Sequence, residues 1–135
     1  MRVFLDTNVL VSAVATRGLC ADVLREILVS QQLVVSTTLF DEVRRVLHTK
    51  LGVPVEVISE FIEMLSQDAV CSEPFELDGI DIDDKDDVRM LSTAISGETD
   101  LFVTGDKELL ELREIQGMEI VSPRGFWGKI KNLSL

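Results

Sequence analysis

Short apolar runs alternate with longer stretches of helical periodicity along the chain. The runs have the length and bulk of buried strands, and they lie at residues 3–5, 33–35, 69–71, 101–103 and 119–121. Between them, apolar residues recur every three or four positions, in residues 9–14, 20–30, 38–50, 55–65, 86–96 and 107–113. Residues 73–84 are polar and contain Pro74 and Gly79, so we predict a loop there. Strands alternating with helices predict an α/β fold with a central, mainly parallel sheet and right-handed crossovers.

Length and composition limit the class of protein. The 135 residues fit a single domain, 1–135, and the 46% of hydrophobic residues suffices for a packed core. No uncharged apolar run approaches the roughly 18 residues of a membrane-spanning helix. Because Asp6 and Asn8 interrupt the first apolar stretch, the N-terminus is a poor signal peptide, and we expect a cytoplasmic protein with no membrane partner. Cys20 and Cys71 form no CxxC pair, so we predict two free, mostly buried thiols.

Two acidic residues follow apolar runs directly. Asp6 comes after the run at residues 3–5, and Asp106 comes after the run at 101–103 and a Thr104-Gly105 turn. The carboxyl ends of parallel strands are where open α/β sheets bind ligands. The simpler interpretation is that each aspartate caps the following helix, and capping and metal binding can coexist. The Thr104 hydroxyl is placed to hydrogen-bond a carboxylate or a water bound to a metal.

Two further acidic residues lie on the apolar faces of predicted helices. Glu42 falls three residues after Leu39 and four before Val46, and Asp87 heads a stripe with Leu91. An unpaired carboxylate there is costly unless its pKa rises or a cation binds. For Glu42, a salt bridge to an arginine is the alternative. Near Asp87 the chain carries four other aspartates, of which Asp84 and Asp86 are candidate additional ligands while the rest suit a solvated loop; these four are Asp81, Asp83, Asp84 and Asp86.

These four acids indicate a particular chemistry. Oxygen-only ligands suit Mg²⁺ or Mn²⁺, whereas His48 is the sole histidine and occupies a polar helix position, which disfavours zinc. We find no Ser-His or Cys-His arrangement that would supply an activated nucleophile. The remaining chemistry is hydrolysis of a phosphodiester assisted by a divalent cation.

Four segments resemble, in order and spacing, the conserved blocks of PIN-domain nucleases. They are LDTNVLVSA, TTLFDEVRRVL, DKDDVRMLSTA and LFVTGDKELL, and the ending IVSPRGFW is similar to the closing strand and helix of the subgroup of toxins in toxin–antitoxin systems (VapC-like). The resemblance implies a three-layer α/β/α sandwich, usually with a five-stranded sheet. It also implies that Mg²⁺- or Mn²⁺-dependent endonucleolytic cleavage of RNA, homodimers and inhibition by an antitoxin protein are to be expected. The implied catalytic and metal-binding residues are Asp6, Glu42, Asp87 and Asp106, supported by Thr7, Asn8 and Thr104.

Two features depart from that pattern. Val88 stands where the subgroup often has asparagine after the third acid. The net charge of −11 is opposite to the basic footprint usual for nucleic-acid binders. Contacts to RNA phosphates must therefore come from a few basic residues. The candidates are Arg17, Arg44, Arg45, Arg89 and Lys107, although a surface charge explains Arg44 or Arg45 equally well.

Alternatives remain open at this stage. A catalytically weak PIN-fold binding module, acting through protein or RNA partners, would fit Val88 and the acidic balance. A phosphohydrolase or phospho-acceptor domain would use Asp6 as nucleophile, but such enzymes want a second aspartate where Asn8 stands.

The apolar residues in 9–28 and 55–65 could form a dimer face or antitoxin groove, although ordinary core packing explains them at least as well.

Overall fold

The computed structural model describes residues 1–133 of the chain. Within that range it contains six strands, seven α-helices and one π-helical segment. In chain order these are β1 (Arg2–Leu5), α1 (Thr7–Ala15), α2 (Leu19–Ser30), β2 (Gln32–Val35), α3 (Thr37–Arg45), the π-helical segment (Val46–Lys50), α4 (Val55–Ser66), β3 (Val70–Cys71), α5 (Lys85–Ser96), β4 (Leu101–Val103), α6 (Lys107–Leu112), β5 (Glu114–Ile115), β6 (Met118–Val121) and α7 (Pro123–Leu133).

The strands form one sheet in the order β3-β2-β1-β4-β6-β5. Strands β1, β2, β3, β4 and β6 pair in parallel, and β5 adds to the edge as the antiparallel partner of β6. All five predicted strands are present, and the α/β fold with a mainly parallel sheet is confirmed. The prediction missed β5, which consists of two residues joined to β6 by the Gln116-Gly117 turn, both with positive φ.

The strand order creates a switch point between β1 and β4. From β1 the chain moves outward through β2 to β3, and it then returns to the other side of β1 to form β4. Because parallel crossovers are right-handed, this reversal puts the two sets of connecting helices on opposite faces of the sheet, as in an α/β/α sandwich. The connections diverge at such a point and leave a crevice beyond the carboxyl ends of the two strands, where open α/β sheets bind ligands.

The core lies on both faces of the central strands. In β1 the residues Val3, Phe4 and Leu5 are buried, as are all three residues of β4. Phe4 and Phe102 lie side by side on these two strands and stack with ring centroids 5.3 Å apart. Burial on both faces explains why the strands appear as continuous apolar runs rather than as alternating patterns. It also fixes rigidly the two strand ends that carry Asp6 and Asp106.

Two details differ from the sequence prediction. The helix expected over 38–50 is α-helical only to Arg45 and continues as the π-helical segment. Cys71 was expected to be mostly buried, but it lies exposed in the edge strand β3, because only one neighbouring strand covers it. Cys20 is half-buried, and both thiols are free, as predicted.

Most apolar residues of α1, α2 and α4 belong to the core. Buried examples are Leu10, Ile27 and Ile62. A smaller set remains exposed on α2 and α4, namely Leu19, Leu28, Val29, Val55, Val57 and Met64. Within the described part of the chain, no single helix is long and apolar enough to cross a membrane, and only α1 and α2 together, bent by 101°, pass that test of length and composition.

Candidate functional site

Asp6 lies at the carboxyl end of β1, inside the crevice. Its backbone N–H donates to the carbonyl of Val103 in β4 at 2.9 Å, which ties the two strand ends together. Its side chain caps α1, since Oδ1 accepts the Thr7 N–H at 2.8 Å. The capping role is therefore real. It occupies one oxygen and points the carboxylate into the crevice.

Thr104 connects Asp6 to Asp106. This fully buried side chain donates its hydroxyl to Asp6 Oδ2 at 2.8 Å. The same hydroxyl oxygen accepts the Asp106 backbone N–H at 3.0 Å. Because a hydroxyl has one proton to donate, these two bonds fix its orientation. One side chain thus sets the position of the first acid and the backbone of the fourth.

Asp106 begins α6 at the end of the β4 turn. Its Oδ1 accepts the Glu108 N–H at 2.9 Å, so it caps α6 as Asp6 caps α1. Asp106 is exposed, and it is close enough to Asp6 that its charge raises the pKa of that carboxyl. The pKa of Asp6 is raised chiefly by burial, while its bonds to Thr104 and Thr7 act in the opposite direction.

Glu42 reaches the crevice from α3. Burial is the main cause that raises its pKa, and the charges of Asp6 and Asp86 raise it further. The Thr7 hydroxyl lies near the Glu42 carboxylate and lowers its pKa. The hydroxyl oxygen of Thr7 is buried and makes no hydrogen bond of full geometry. The alternative of a salt bridge is not borne out, because Glu42 takes part in none of the ion pairs of residues 1–133. Arg45 lowers the pKa of Glu42 only as the smallest influence.

Asp87 lies in the first turn of α5, which Asp84 caps by accepting the N–H groups of Asp86 and Asp87. The pKa of Asp87 is raised to about 6, first by burial and then by the negative charge of Asp84. Smaller contributions come from three more carboxylates, those of Asp6, Asp106 and Glu108. The charges of both strand-end acids, Asp6 and Asp106, therefore reach the Asp87 carboxyl and raise its pKa.

The four predicted acids thus converge on one end of the sheet. Each is linked to at least one other by a pKa effect: Asp6 to Asp106, Glu42 to Asp6, and Asp87 to both. Within residues 1–133, however, no three His, Cys, Asp or Glu side chains form a ready-made set of metal ligands. The structure brings the carboxylates into one electrostatic unit, and it does not bring three of them to coordination distance.

A comparison with protein families adds to this geometry. The family model described as PIN domain matches residues 2–108, a range that contains all four acids, Thr7 and Thr104. The chain belongs to the PIN-domain family. PIN domains are typically metal-dependent nucleases. No curated protein matches the chain.

The donors at this PIN-domain crevice fit a hard divalent cation. They are carboxylate oxygens, and burial is the main cause of the raised pKa values of Asp6, Glu42 and Asp87, which neighbouring carboxylates raise further. Within the described chain no ion pair involves any of the four. A cation would reverse this balance, because it stabilises the ionised form of every neighbouring carboxylate.

The predicted supporting and basic residues occupy different environments. Thr7 is buried, whereas Asn8 is exposed one position further along α1. The candidates for phosphate contact, Arg17, Arg89 and Lys107, are all exposed. His48 is exposed as predicted and contacts the Val53 carbonyl at 3.3 Å through Nδ1.

Three acids beyond the predicted four influence the site, and Asp84 is one of them because its charge raises the pKa of Asp87. Asp86 is a predicted candidate for an additional ligand, and its charge raises the pKa of Glu42. Glu108 is not among the predicted site residues, although its carboxylate raises the pKa of Asp87. The position of Glu108 could have indicated this influence. Glu108 is a second acid in the first turn of α6, which begins after the strand-end aspartate Asp106.

Proposed function

We propose that this PIN domain is an endoribonuclease that hydrolyses RNA phosphodiester bonds with Mg²⁺ or Mn²⁺. The observation that carries the proposal is the Asp6–Thr104–Asp106 connection at the switch point of the sheet. It orients the Asp6 carboxylate and the backbone of Asp106 at the carboxyl ends of adjacent strands, and the charge of Asp6 reaches both Glu42 and Asp87. Asp6, Glu42, Asp87 and Asp106 are the residues that would hold the cation.

The cation, Thr104 and the buried strands have different roles in this proposal. When bound, a divalent cation supplies electrophilic stabilisation of the phosphate and promotes ionisation of the attacking water. Thr104 donates to Asp6 and so keeps that carboxylate oriented and ionised. The buried strands behind the crevice keep both carboxylates in place during the reaction, so little reorganisation is needed.

The direct test is cleavage of single-stranded and structured RNA in Mn²⁺ and in EDTA, with Asp6→Asn as the critical variant. We expect cleavage only with the cation. Asp6→Asn should lower the rate by more than about 100-fold, beyond the loss typical of groups that merely support a metal ligand. Glu63→Gln, an exposed acid on α4, is the control and should retain the wild-type rate. Equal activity in EDTA, or an active Asp6→Asn, would refute the proposal.

We further propose that the chain is a cytoplasmic toxin, inhibited by an antitoxin protein and active as a homodimer. The support is the resemblance of its four blocks and its ending to VapC-like toxins. Expression in a bacterial host should arrest growth, and Asp6→Asn should relieve the arrest. A small open reading frame for a DNA-binding protein directly upstream of the gene would support the pairing with an antitoxin.

A catalytically weak binding module is the second candidate. Val88, in place of the asparagine common in the subgroup, and the lack of three carboxylates at coordination distance among residues 1–133 favour it. In that case expression would be harmless and Asp6→Asn would change nothing. A phospho-aspartate at Asp6 has less support, because Asn8 stands where such enzymes want a second aspartate.

A further inference from the structure

A second concave site lies beside the crevice, where the π-helical segment meets the start of α4. It is a pocket of about 260 Å³. Its floor contains the apolar side chains of Val55 and Ile58, and Arg44, Arg45 and His48 contribute to its wall. None of its lining residues is acidic, in a chain with 24 acids and 13 lysines and arginines. The pocket therefore combines basic side chains with an apolar floor.

The two arginines of this basic pocket are available to an anion. Both are exposed. The only ion pair that the described chain offers to either is the contact of Arg44 with Asp41 at 3.4 Å, a solvent-exposed i,i+3 pair. Exposed pairs of this kind contribute little and exchange readily for a better partner. Guanidinium groups are well suited to phosphate, because their planar donors match its oxygens in pairs.

The basic pocket adjoins the acidic crevice through α3. Arg45 follows Glu42 by three residues, so the two lie on neighbouring turns about 4.5 Å apart along the helix axis. Arg45 is also the cation whose charge reaches the Glu42 carboxylate. Because the two sites share α3, a strand with one phosphate at the crevice can bring a nearby phosphate to this pocket.

We propose that the basic pocket is an RNA subsite that binds a phosphate close to the bond cut at the crevice. Arg44 and Arg45 contact the phosphate, and the sugar or base edge lies on the exposed side chain of Val55. The identity of the ligand as RNA rests on the proposed function. RNA is favoured as the occupant because the two guanidinium groups suit phosphate and the pocket shares α3 with the crevice. An acidic peptide segment is the competing occupant.

The first experiment measures binding of a fluorescein-labelled 12-nucleotide single-stranded RNA by anisotropy in EDTA, over a range of salt concentrations. Arg44→Glu and Arg45→Glu should each weaken binding by about tenfold or more, as expected for a lost charged hydrogen bond. The slope of log K against log salt should fall by about 0.7 for each lost phosphate contact. Arg25→Glu is the matched control, because Arg25 forms the same kind of exposed i,i+3 pair, with Asp22 at 3.2 Å, and lies outside the pocket.

The second experiment tests the apolar floor. Val55→Glu places a negative charge in the pocket, whereas Val57→Glu places it outside, on the same first turn of α4. The two valines are 54% and 49% exposed, so neither change should unfold the chain. We expect Val55→Glu to weaken RNA binding about tenfold and to raise KM for RNA cleavage with little change in kcat. Val57→Glu should match the wild type.

The outcomes separate this subsite from the nuclease proposal. If the chain cleaves RNA but the pocket variants match their controls in binding and KM, the subsite is refuted and the nuclease stands. If RNA binds through the pocket but is never cleaved, the subsite stands and the nuclease proposal falls. Failure of the wild-type chain to bind the RNA overturns the subsite. It is overturned too if a labelled Glu/Leu peptide, and not RNA, shows the dependence on Arg44 and Arg45.

Discussion

Thr104 is the side chain that most directly links the acids of the crevice. Its hydroxyl donates to Asp6 and accepts from the Asp106 N–H, at 2.8 and 3.0 Å. Thr104→Val keeps the shape but leaves that N–H without this acceptor and removes a bond that lowers the pKa of Asp6. We expect a loss of about 1–3 kcal/mol in the free energy of unfolding, measured with urea.

The matched control for this change is Thr104→Ser, which keeps the hydroxyl and should restore most of the lost stability. Cation affinity provides a readout that packing alone would not move. It should be weaker in Thr104→Val than in Thr104→Ser, because the Asp6 carboxylate is then less well oriented. If both variants behave alike in stability and in affinity, the hydroxyl bridge has no such role.

Asp87 gives the site a predictable dependence on pH. Its pKa is about 6 in the folded chain, against about 3.9 in an unfolded one. Below pH ~4 the carboxyl is neutral in both states. Between pH ~4 and ~6 the unfolded chain loses the proton first, so the free energy of unfolding falls as the pH rises through this window. The pKa values of Asp6 and Glu42 are shifted in the same direction.

Asp87→Asn should remove part of this slope. In EDTA we expect the variant to be more stable than the wild type at pH 7 by about 1 kcal/mol, an amount reduced for solvent screening of a half-buried group. The two chains should converge near pH 4. Urea unfolding at pH 4, 5, 6 and 7 measures this, with Asp78→Asn, an exposed loop residue, as control. Parallel pH profiles for Asp87→Asn and the wild type would show that folding does not raise the pKa of Asp87.

At the level of elements, α5 is positioned by a close approach at its end. A methyl group on Gly97 would lie 2.6 Å from Val34 Cγ1 and 3.0 Å from Ser72 Oγ. Ser72 is itself fixed, since its hydroxyl donates to the Thr93 carbonyl at 2.8 Å. Gly97→Ala should therefore push α5 away from β2 and lower the free energy of unfolding by about 1–3 kcal/mol.

Gly128→Ala is the opposite case. Gly128 lies in α7 with nothing near the position of an added methyl group, so alanine should stabilise the helix by about 0.5–1 kcal/mol. Urea unfolding of both variants checks the pair. Because α5 carries Asp87, Gly97→Ala should also reduce cation affinity, whereas Gly128→Ala should leave it unchanged. Two changes of the same sign would contradict this account of the packing.

The elements also show which structure can be predicted from sequence. Strands β1, β2 and β4 were predictable because both faces are buried, which requires continuous apolar runs. Strand β5 was not, since Glu114 and Ile115 are too few to form a pattern, although Gln116-Gly117 before an apolar residue is a turn signal. The π-helical segment was not predictable either, because its side chains follow the same apolar stripe as an α-helix.

The candidate site was predictable to a similar degree. Asp6 and Asp106 follow buried strands, and Glu42 interrupts an apolar stripe, so their unusual positions are visible in the sequence. Their convergence was expected for acids at neighbouring strand ends, but the strand order that produces it was not visible: β1 and β4 are neighbours in the sheet although Leu101 follows Asp6 by 95 positions in the chain. The role of Glu108 and the basic pocket beside α3 likewise needed three-dimensional proximity.

For the whole molecule, a net charge of −11 makes cations part of the balance of stability. Neighbouring carboxylates raise the pKa values of Asp6 and Asp87. A cation that binds between these acids should therefore increase the free energy of unfolding. The same charge repels RNA at long range, and this repulsion is screened over about 10 Å at 0.1 M salt. Short-range contacts with cations must therefore supply RNA affinity.

Divalent cations should therefore stabilise the whole chain through this one site. At a Mn²⁺ concentration 100 times Kd we expect about 2.7 kcal/mol of added stability, or a rise in Tm of about 10 °C for a chain of this size. Asp106→Asn and Glu42→Gln should lose most of the rise, whereas Glu60→Gln, exposed on α4, should keep it. NaCl at the same ionic strength is the control for general screening. If NaCl gives the same rise, or if Asp106→Asn retains it, the cations act on the diffuse surface charge, and the crevice does not bind them.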